Sequence, residues 1–127
     1  MLTLPKNDSR FSWTTHIKSK MMFYHISGAQ INRIFRHPDR VEEGIAPNTV
    51  AAMKTRKKGG NKKGSEEIWI MYQMNKKPSS KNLKSNRLKS SRITMISAWR
   101  YPGKTKAGER PKIPEGLLDE LKMEGLI

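Results

Sequence analysis

Residues 67–74, which read Glu-Ile-Trp-Ile-Met-Tyr-Gln-Met, restrict the fold of this chain more than any other segment. A short run that is apolar on both of its alternating faces is typical of a central strand in a sheet. Runs at 40–45, 49–53 and 93–100 have the composition of further strands, and a turn joins the first two. The sequence therefore predicts an antiparallel sheet of roughly four strands.

Two helices are predicted before these strands. Thr14 or Thr15 can cap the first turn of a helix over roughly residues 15–24, and this segment places three apolar side chains on one stripe: Ile17, Met21 and Tyr24. Ser27 and Gln30 have the spacing of a capping box, and Pro38 ends the second helix. Helices followed by strands predict an α+β domain, with both helices on one face of the sheet.

The charge of the chain is strongly positive. There are 26 Lys and Arg residues against 11 Asp and Glu residues, which gives a net charge of +15. This imbalance favours nucleic acid as the partner and an anionic membrane surface second, whereas a merely solubilising surface is the alternative. Since only 35% of the residues are hydrophobic, we expect a core of about 80 residues together with disordered basic segments.

The composition also excludes some chemistry. Because the chain contains no cysteine, it has neither a disulfide framework nor a thiolate metal site. The histidines His16, His25 and His37 lack carboxylates at ligand spacing, so we expect no metal and no other cofactor. No apolar run approaches the ~18 residues of a membrane span, so we expect a cytoplasmic protein without a membrane partner.

Two basic insertions, residues 54–65 and 76–92, interrupt the predicted sheet. They carry six and seven Lys or Arg residues, respectively, and no acid. Long loops of this charge predict phosphate contacts that position a nucleic acid without reading its sequence; the alternative is a pair of tolerated insertions. The candidate contacts are Lys54, Arg56, Lys57, Lys58, Lys62, Lys63, Lys81, Lys84, Arg87 and Lys89.

Residues 102–127 are interpreted as a linker and a short amphipathic helix at 115–123. The helix has an apolar patch, formed by Leu117, Leu118 and Leu121, and this region is rich in acids: Glu115, Asp119, Glu120 and Glu124. A helix this short is marginal alone, so it must dock on its own domain or on a partner. One hypothesis is that the acidic segment folds back over a basic cleft.

His16 and Lys20 are four residues apart in the first predicted helix, so their side chains lie one above the other. An imidazole beside an ammonium can bind and act on a phosphate if the pair lines a pocket. The alternatives are a histidine ring packed against the sheet and a solvated lysine.

Three tryptophans are candidates for stacking on RNA bases, because aromatic side chains among basic residues are typical of single-stranded RNA binding. Trp69 lies in the middle of an apolar strand and is predicted to be in the core, and Trp13 precedes the first helix. Trp99, beside Arg100 at a strand end, is the only one that we expect to be exposed.

Residues 16–27 read His-Ile-x-x-Lys-Met-x-x-Tyr-His-Ile-Ser, and residues 37–44 read His-Pro-Asp-Arg-Val-Glu-Glu-Gly. These blocks resemble a family of small domains of unknown function related to the BrnT toxins, within the RelE/ParE-like superfamily of toxin–antitoxin systems. The family pattern is His-Ala-x-x-Arg-Met-x-x-Arg-Gly-Ile-Ser, then a helix and Pro-Asp before the first strand. Its last strand, Ile-Thr-Val-Tyr-Arg, is similar in kind to residues 96–100. The resemblance covers about residues 11–101 and implies a RelE/ParE-like fold.

Some departures of the chain from this family pattern bear on its chemistry or its backbone. Lys20 replaces the first arginine, which keeps the charge but loses the planar fork that grips a phosphate at two points. Tyr24 replaces the second arginine, and His25 replaces the glycine. Ser97 replaces a threonine of the last strand and keeps its hydroxyl.

The resemblance implies a metal-independent ribonuclease of the toxin–antitoxin type, with a separate antitoxin protein as its partner. In such a reaction the ribose 2′-hydroxyl attacks the adjacent phosphate, which requires proton transfer and positive charge near the phosphorane oxygens. The implied roles are His16 as base or acid, Lys20 and Arg100 as phosphate ligands, and Ser97 as an orienting hydrogen-bonding group.

Strand alternation restricts this set. It predicts that Ser97 shares a face with Ile93, Met95 and Trp99, whereas Arg100 lies on the opposite face. Ser97 and Arg100 can line one cleft only if the strand bulges or ends before Arg100. Two other classes of function stay open: a non-catalytic nucleic-acid-binding module that uses the basic loops, and a protein-interaction domain anchored by the C-terminal helix.

Overall fold

A computed structural model describes residues 4–46, 48–57, 65–75, 92–103, 105–109, 111–114 and 116–126. Over these ranges the chain forms three helices and a five-stranded mixed sheet. The elements are β1 (Phe11–Trp13), α1 (Thr15–Tyr24), α2 (Gly28–Arg36), β2 (Arg40–Glu43), β3 (Thr49–Lys57), β4 (Ser65–Asn75), β5 (Arg92–Pro102) and α3 (Leu117–Met123). None of the helices in these ranges is long and apolar enough to cross a membrane.

The strands are arranged in the order β1-β5-β4-β3-β2, which places β4 at the centre as predicted. The pairs from β2 to β5 are antiparallel, but β1 lies parallel to β5, with Phe11 opposite Ile93. The α+β class is therefore confirmed. The four predicted strands are present and antiparallel, but a fifth, parallel strand makes the sheet mixed, so a purely antiparallel sheet of four strands is not confirmed. Three residues are too few for alternation to identify β1. The RelE/ParE-like arrangement stays a prediction.

The central strands extend further than their apolar cores. β3 continues to Lys57 and β4 begins at Ser65, so Lys54 and Arg56 lie on a strand and not in a loop. Their partners across the strand pair are Ile68 and Glu66, respectively. Backbone pairing continues past the apolar residues, and hydrophobic alternation does not reveal these polar ends.

Both N-terminal helices begin at the predicted caps. The Thr14 hydroxyl accepts a hydrogen bond from the Ile17 N–H at 3.0 Å, and Ser27 and Gln30 form a complete capping box. α1 ends at His25, whose φ of +56° lies in the left-handed region. Glycine is the residue that usually occupies such a helix end, and the family pattern has glycine at this position.

The sheet is covered on both faces. α1 and α2 pack on one face, where the buried side chains include Ile17, Met21, Ile31, Ile34, Ile70 and Ala98. α3 packs on the other face, where the buried side chains include Met53, Trp69, Met71, Trp99, Leu117 and Leu121. Because helices cover both faces of the sheet, the side chains on both faces of β4 are apolar.

A β-bulge in β5 changes which face Ser97 joins. Met95 lies opposite Tyr72 and Ser97 lies opposite Met71, so Ile96 is an extra residue in β5. Met95 therefore packs beneath α1 and α2, whereas Ser97 lies on the α3 face with its partner Met71. The prediction that Ser97 shares a face with Met95 is wrong, because an inserted residue shifts the alternation by one.

A buried carboxylate fixes the segment that leads to α3. Glu67 is 1% exposed and accepts hydrogen bonds from the Thr105 N–H at 2.9 Å, the Thr105 hydroxyl at 2.7 Å and the Trp69 indole N–H at 2.9 Å. Burial raises the pKa of Glu67, but these hydrogen bonds and the positive charge of Arg40 outweigh burial, so the pKa lies below its ordinary value.

Two further hydrogen bonds continue this attachment. The Gly108 N–H donates to the Glu42 carboxylate at 2.8 Å, and the Trp99 indole N–H donates to the carbonyl of Lys112 at 3.2 Å. The segment before α3 therefore lies along the sheet, and α3 completes the cover of this face.

Candidate active site and cationic pocket

The His16 side chain, in the first turn of α1, is almost completely buried, with 1% of its surface exposed. Its Nε2 atom lies 2.9 Å from the Ser97 hydroxyl, and its Nδ1 atom lies 3.1 Å from Oε2 of Glu124. Both ring nitrogens thus have polar partners from distant parts of the chain. Hydrogen bonds on both sides fix the orientation of the ring.

The start of α1 is attached directly to the bulge that carries Ser97. The Thr14 N–H donates to the carbonyl of Met95 at 3.2 Å, and the Thr14 hydroxyl donates to the carbonyl of Ile96 at 2.9 Å. The same hydroxyl caps α1. One threonine therefore sets both where the helix begins and which strand positions lie beside His16.

Lys20 lies one turn after His16 and has 15% of its side chain exposed. Its Nζ atom is 2.6 Å from Oε1 of Glu120, and the same carboxylate oxygen is 4.0 Å from Nδ1 of His16. The predicted pair therefore does lie together, with the carboxylates of Glu120 in α3 and of Glu124 directly after it facing both side chains. We call His16, Lys20, Ser97 and the two facing carboxylates, Glu120 and Glu124, the histidine cluster.

α3 carries these carboxylates because its apolar side is anchored. Leu117 and Leu121 are 2% and 0% exposed and pack with the tryptophans of β4 and β5. Glu120 and Glu124 keep 45% and 43% of their side chains exposed. The short helix thus docks on its own domain, and its acids lie at the rim of the site.

The spacing of the acids was a usable sequence signal. His16 and Lys20 are four residues apart in one helix, as are Glu120 and Glu124 at the other end of the chain. When two such helices pack side by side, each basic side chain of one helix can face an acidic side chain of the other. Sequence reasoning identified the acidic segment as a whole but did not assign these partners.

Arg100 is not part of the histidine cluster. Its guanidinium donates to the carbonyl of Tyr24 at 2.8 Å and to the carbonyl of His25 at 3.2 Å, and it forms an ion pair with Glu66 at 2.6 Å. These contacts are at the C-terminal end of α1, where a cation and free carbonyls stabilise each other. Arg100 thus lies on the face opposite Ser97, as alternation predicts, and it caps a helix.

Tyr24 lies between the helix end and the cluster. Burial raises the pKa of its phenol, the positive charge of Lys20 lowers it, and the negative charge of Glu120 raises it, so that the pKa lies above its ordinary value. The phenol is therefore a neutral hydrogen-bonding group near neutral pH and not a base.

A second cationic feature lies on the face of the sheet that α1 and α2 cover. α2, β3 and β4 line an open pocket of about 410 Å³. Its cationic residues are Arg33, Lys54 and Arg56, and the described part of its lining contains no carboxylate. The Lys54 ammonium is 3.3 Å from Asp39, whose pKa is lowered by the Thr55 N–H and by Lys54 itself. We call this feature the cationic pocket.

Most of the predicted nucleic-acid contacts cannot be assigned a position. Lys58, Lys62, Lys63, Lys81, Lys84, Arg87 and Lys89 lie outside the described residues, as does the side chain of Lys57. Lys54 and Arg56 are the two predicted contacts with described side chains, and both line the cationic pocket.

The tryptophans are all buried. Trp13 is 7% exposed, and Trp69 and Trp99 are 0% exposed, with the last two rings stacked 6.2 Å apart. The prediction that Trp99 is exposed is wrong, because α3 and the segment before it cover the face on which Trp99 lies. The aromatic side chain that sequence reasoning missed is Phe23 of α1, which is 73% exposed.

Within the described ranges, no group of three or more His, Asp or Glu side chains is arranged to hold a metal ion. No protein-family model, curated protein or solved structure matches this chain. The resemblance to BrnT-related domains therefore depends on the quoted residues alone.

Proposed function

We propose that this protein cleaves RNA without a metal ion, at a site formed by His16, Lys20 and Ser97. The observation that carries the proposal is that the histidine cluster already binds anionic oxygens. Carboxylate oxygens lie 3.1 Å from the His16 ring and 2.6 Å from the Lys20 ammonium. Groups that bind a carboxylate in this way can also bind the oxygens of a phosphodiester.

The geometry of the ring assigns its two nitrogens different roles. Nε2 faces Ser97, which holds the imidazole in place. Nδ1 faces the position now taken by Glu124, so it is the nitrogen available to a substrate. Here His16 and Lys20 are the catalytic residues and Ser97 is a positioning residue.

The proposed reaction is a transesterification. Nδ1 of His16 accepts the proton of the ribose 2′-hydroxyl, the 2′-oxygen forms a bond to phosphorus, and the bond from phosphorus to the 5′-oxygen breaks. The leaving 5′-oxygen takes a proton from the imidazolium, so the products end in a 2′,3′-cyclic phosphate and a 5′-hydroxyl. The Lys20 ammonium stabilises the charge that develops on the phosphorane oxygens.

RNA can reach this site only when the carboxylates of α3 move aside. The ion pairs at the rim are partly exposed, and such pairs contribute about 0–1 kcal/mol each. The buried leucines contribute more, about 1.5–3 kcal/mol each. In this proposal the described conformation is the closed one, and displacement of α3 opens it.

The test is cleavage of RNA by the full chain in the presence of EDTA. The Glu120→Gln, Glu124→Gln double variant is measured in parallel, because it keeps the leucine anchor and removes the competing charges. Ser97→Ala, Lys20→Gln and His16→Ala are expected to lower the rate in that background, the last by about 100-fold or more. Circular dichroism checks that each variant is folded.

No cleavage by the natural chain and the double variant would contradict the proposal. Cleavage that survives His16→Ala would do the same. Products that end in a 3′-phosphate from the first turnover, with no cyclic intermediate, would exclude the attack by the 2′-hydroxyl.

A second candidate function is a nucleic-acid-binding module without catalysis. The cationic pocket favours it, since three cations line this pocket and none of them belongs to the histidine cluster. This function predicts binding that weakens steeply between about 50 and 200 mM salt, without turnover. Neutralising Lys54 and Arg56, and separately Lys57, Lys58, Lys62 and Lys63, is expected to reduce that binding. The antitoxin partner and the cytoplasmic location stay predictions.

A further inference from the structure

Phe23 is a large apolar side chain that the fold leaves uncovered. It lies in α1 with 73% of its surface exposed, whereas the three tryptophans and most aliphatic side chains are buried. Burying such a ring would stabilise the fold by about 1.5–3 kcal/mol. Neither face of the sheet uses Phe23, so the fold itself does not account for this side chain.

One cationic side chain, that of Lys20, lies beside Phe23. The Nζ atom of Lys20 lies 5.5 Å from the centre of the Phe23 ring, while the same atom lies 2.6 Å from the Glu120 carboxylate. The Lys20 ammonium thus contacts the anion of the histidine cluster and also lies close to the exposed ring. A nucleotide carries its base and its phosphate on one sugar, so one nucleotide can contact the ring and the ammonium together.

The ring is also held in place. Tyr24, which is partly buried in the core, packs against Phe23 in a T-shaped arrangement, with ring centres 4.8 Å apart and an angle of 90° between the planes. Because 73% of the Phe23 surface is still exposed in this arrangement, part of the ring stays available for stacking.

From this geometry we infer that Phe23 is a stacking platform for an unpaired RNA base whose phosphate is bound by Lys20. The inference deepens the proposed function and depends on RNA being the ligand, but it does not depend on cleavage. It specifies the substrate class as single-stranded RNA, since a base inside a duplex does not offer a free face. The high positive charge of the chain favours RNA over an apolar protein partner at this position.

The test is the affinity of the full chain, in the Glu120→Gln, Glu124→Gln background, for a short single-stranded RNA with a deoxyribose at each position that could be cut. A fluorescent label on the RNA gives the affinity by anisotropy. Phe23→Ala is expected to weaken binding roughly 5- to 150-fold, the range for loss of one base stack. A duplex of the same length is expected to be affected less than about twofold.

Three companion variants separate stacking from simple apolar contact. Phe23→Leu keeps the apolar surface but has no ring, so it is expected to bind as weakly as Phe23→Ala. Phe23→Trp is expected to retain binding, and its exposed indole should lose fluorescence when a base stacks on it. Met22→Ala is the matched control, because Met22 is the neighbouring exposed apolar residue, at 59% exposure, and should leave affinity unchanged.

The outcomes exclude one another. Unchanged single-strand affinity in Phe23→Ala overturns the inference, as does full affinity in Phe23→Leu, which would indicate a purely apolar contact. Binding of no RNA by any variant overturns both this inference and the proposed function. RNA affinity that depends on Phe23, together with no cleavage of an all-ribose RNA, supports the stacking platform and rejects the ribonuclease.

Discussion

Lys20 and Glu120 join the first helix to the last, with Nζ of the lysine 2.6 Å from Oε1 of the glutamate. One turn away, His16 contacts Glu124 at 3.1 Å. The earlier residue of α1 contacts the later acid, and the later residue contacts the earlier acid, so the two segments run antiparallel. Each of these two turns of α1 therefore faces one acid. This relationship places the acidic end of the chain over its candidate catalytic groups, and the first prediction follows from it.

Neutralising the two acids of α3 is expected to raise RNA binding and cleavage. Glu120→Gln with Glu124→Gln removes the charges that compete with phosphate, and partly exposed pairs of this kind change an equilibrium by about 2- to 10-fold. The measurement is the initial cleavage rate at low RNA concentration. Asp119→Asn, an exposed charge on the same helix, is the matched control and should have no such effect. Equal rates in the two variants would contradict the prediction.

Removing the leucine anchor is expected to destabilise the fold. Leu121 is completely buried against the α3 face of the sheet, and Leu→Ala changes in such positions lower the free energy of unfolding by about 2–5 kcal/mol. Urea denaturation followed by tryptophan fluorescence measures it, since Trp69 and Trp99 are in contact with this core. Met123→Ala, at an 87% exposed position of the same helix, is the control. An effect below about 1 kcal/mol would show that α3 is not held by this contact.

Replacing Glu67 by glutamine is expected to make the free energy of unfolding depend less on pH in the acidic range. The pKa of Glu67 in the folded chain lies below its ordinary value of 4.5. The unfolded chain therefore binds the proton first, and stability that is present above about pH 4.5 is lost as the pH falls through the folded pKa. Glu67→Gln removes this part of the loss, and at neutral pH it costs about 1–3 kcal/mol through weakened hydrogen bonds.

The measurement is the free energy of unfolding of the natural chain and Glu67→Gln between about pH 3 and pH 7. Asp39, whose pKa is also lowered, is present in both proteins, so their difference isolates Glu67. Glu109→Gln, at an exposed position, is the control for removal of a negative charge. Parallel curves for the natural chain and Glu67→Gln would contradict the prediction.

Arg100 and Lys20 are expected to behave differently when neutralised. Arg100→Gln removes a cation from the end of α1 and should lower the free energy of unfolding by about 1–2 kcal/mol, with the cleavage rate per folded molecule unchanged. Lys20→Gln should instead lower the cleavage rate and leave stability within about 1 kcal/mol, because its ion pair is at the rim of the site. A larger rate loss in Arg100→Gln would place Arg100 at the reacting phosphate.

The parts of the fold that depend on neighbouring residues were predictable from the sequence. The caps at Thr14 and Ser27 and the central position of β4 follow from hydrogen bonds or alternation within a few residues. The proximity of His16 and Lys20 follows in the same way from helical spacing. Within the candidate site, these two residues are the part that sequence reasoning identified from local pattern alone.

The remaining features depend on contacts between distant residues. The extra residue Ile96 decides the face of Ser97, and it is stabilised by Thr14, 82 positions away. The resemblance implied that Arg100 binds a phosphate, but its guanidinium contacts the carbonyls at the end of α1. Trp99 lies beside Arg100 in the sequence, which favoured an exposed side chain, but α3 covers it in the fold.

The sequence by itself determined the helices and the apolar parts of the four strands from β2 to β5, and it determined the positive charge that favours an anionic partner. Only the tertiary structure decided that β1 pairs in parallel, that Arg100 caps a helix, and that Glu120 and Glu124 face His16 and Lys20. The physical reason is the separation in sequence over which each interaction acts. Caps and periodicity act over a few residues, whereas these pairings are selected by the packing of whole layers, which brings together groups about a hundred residues apart.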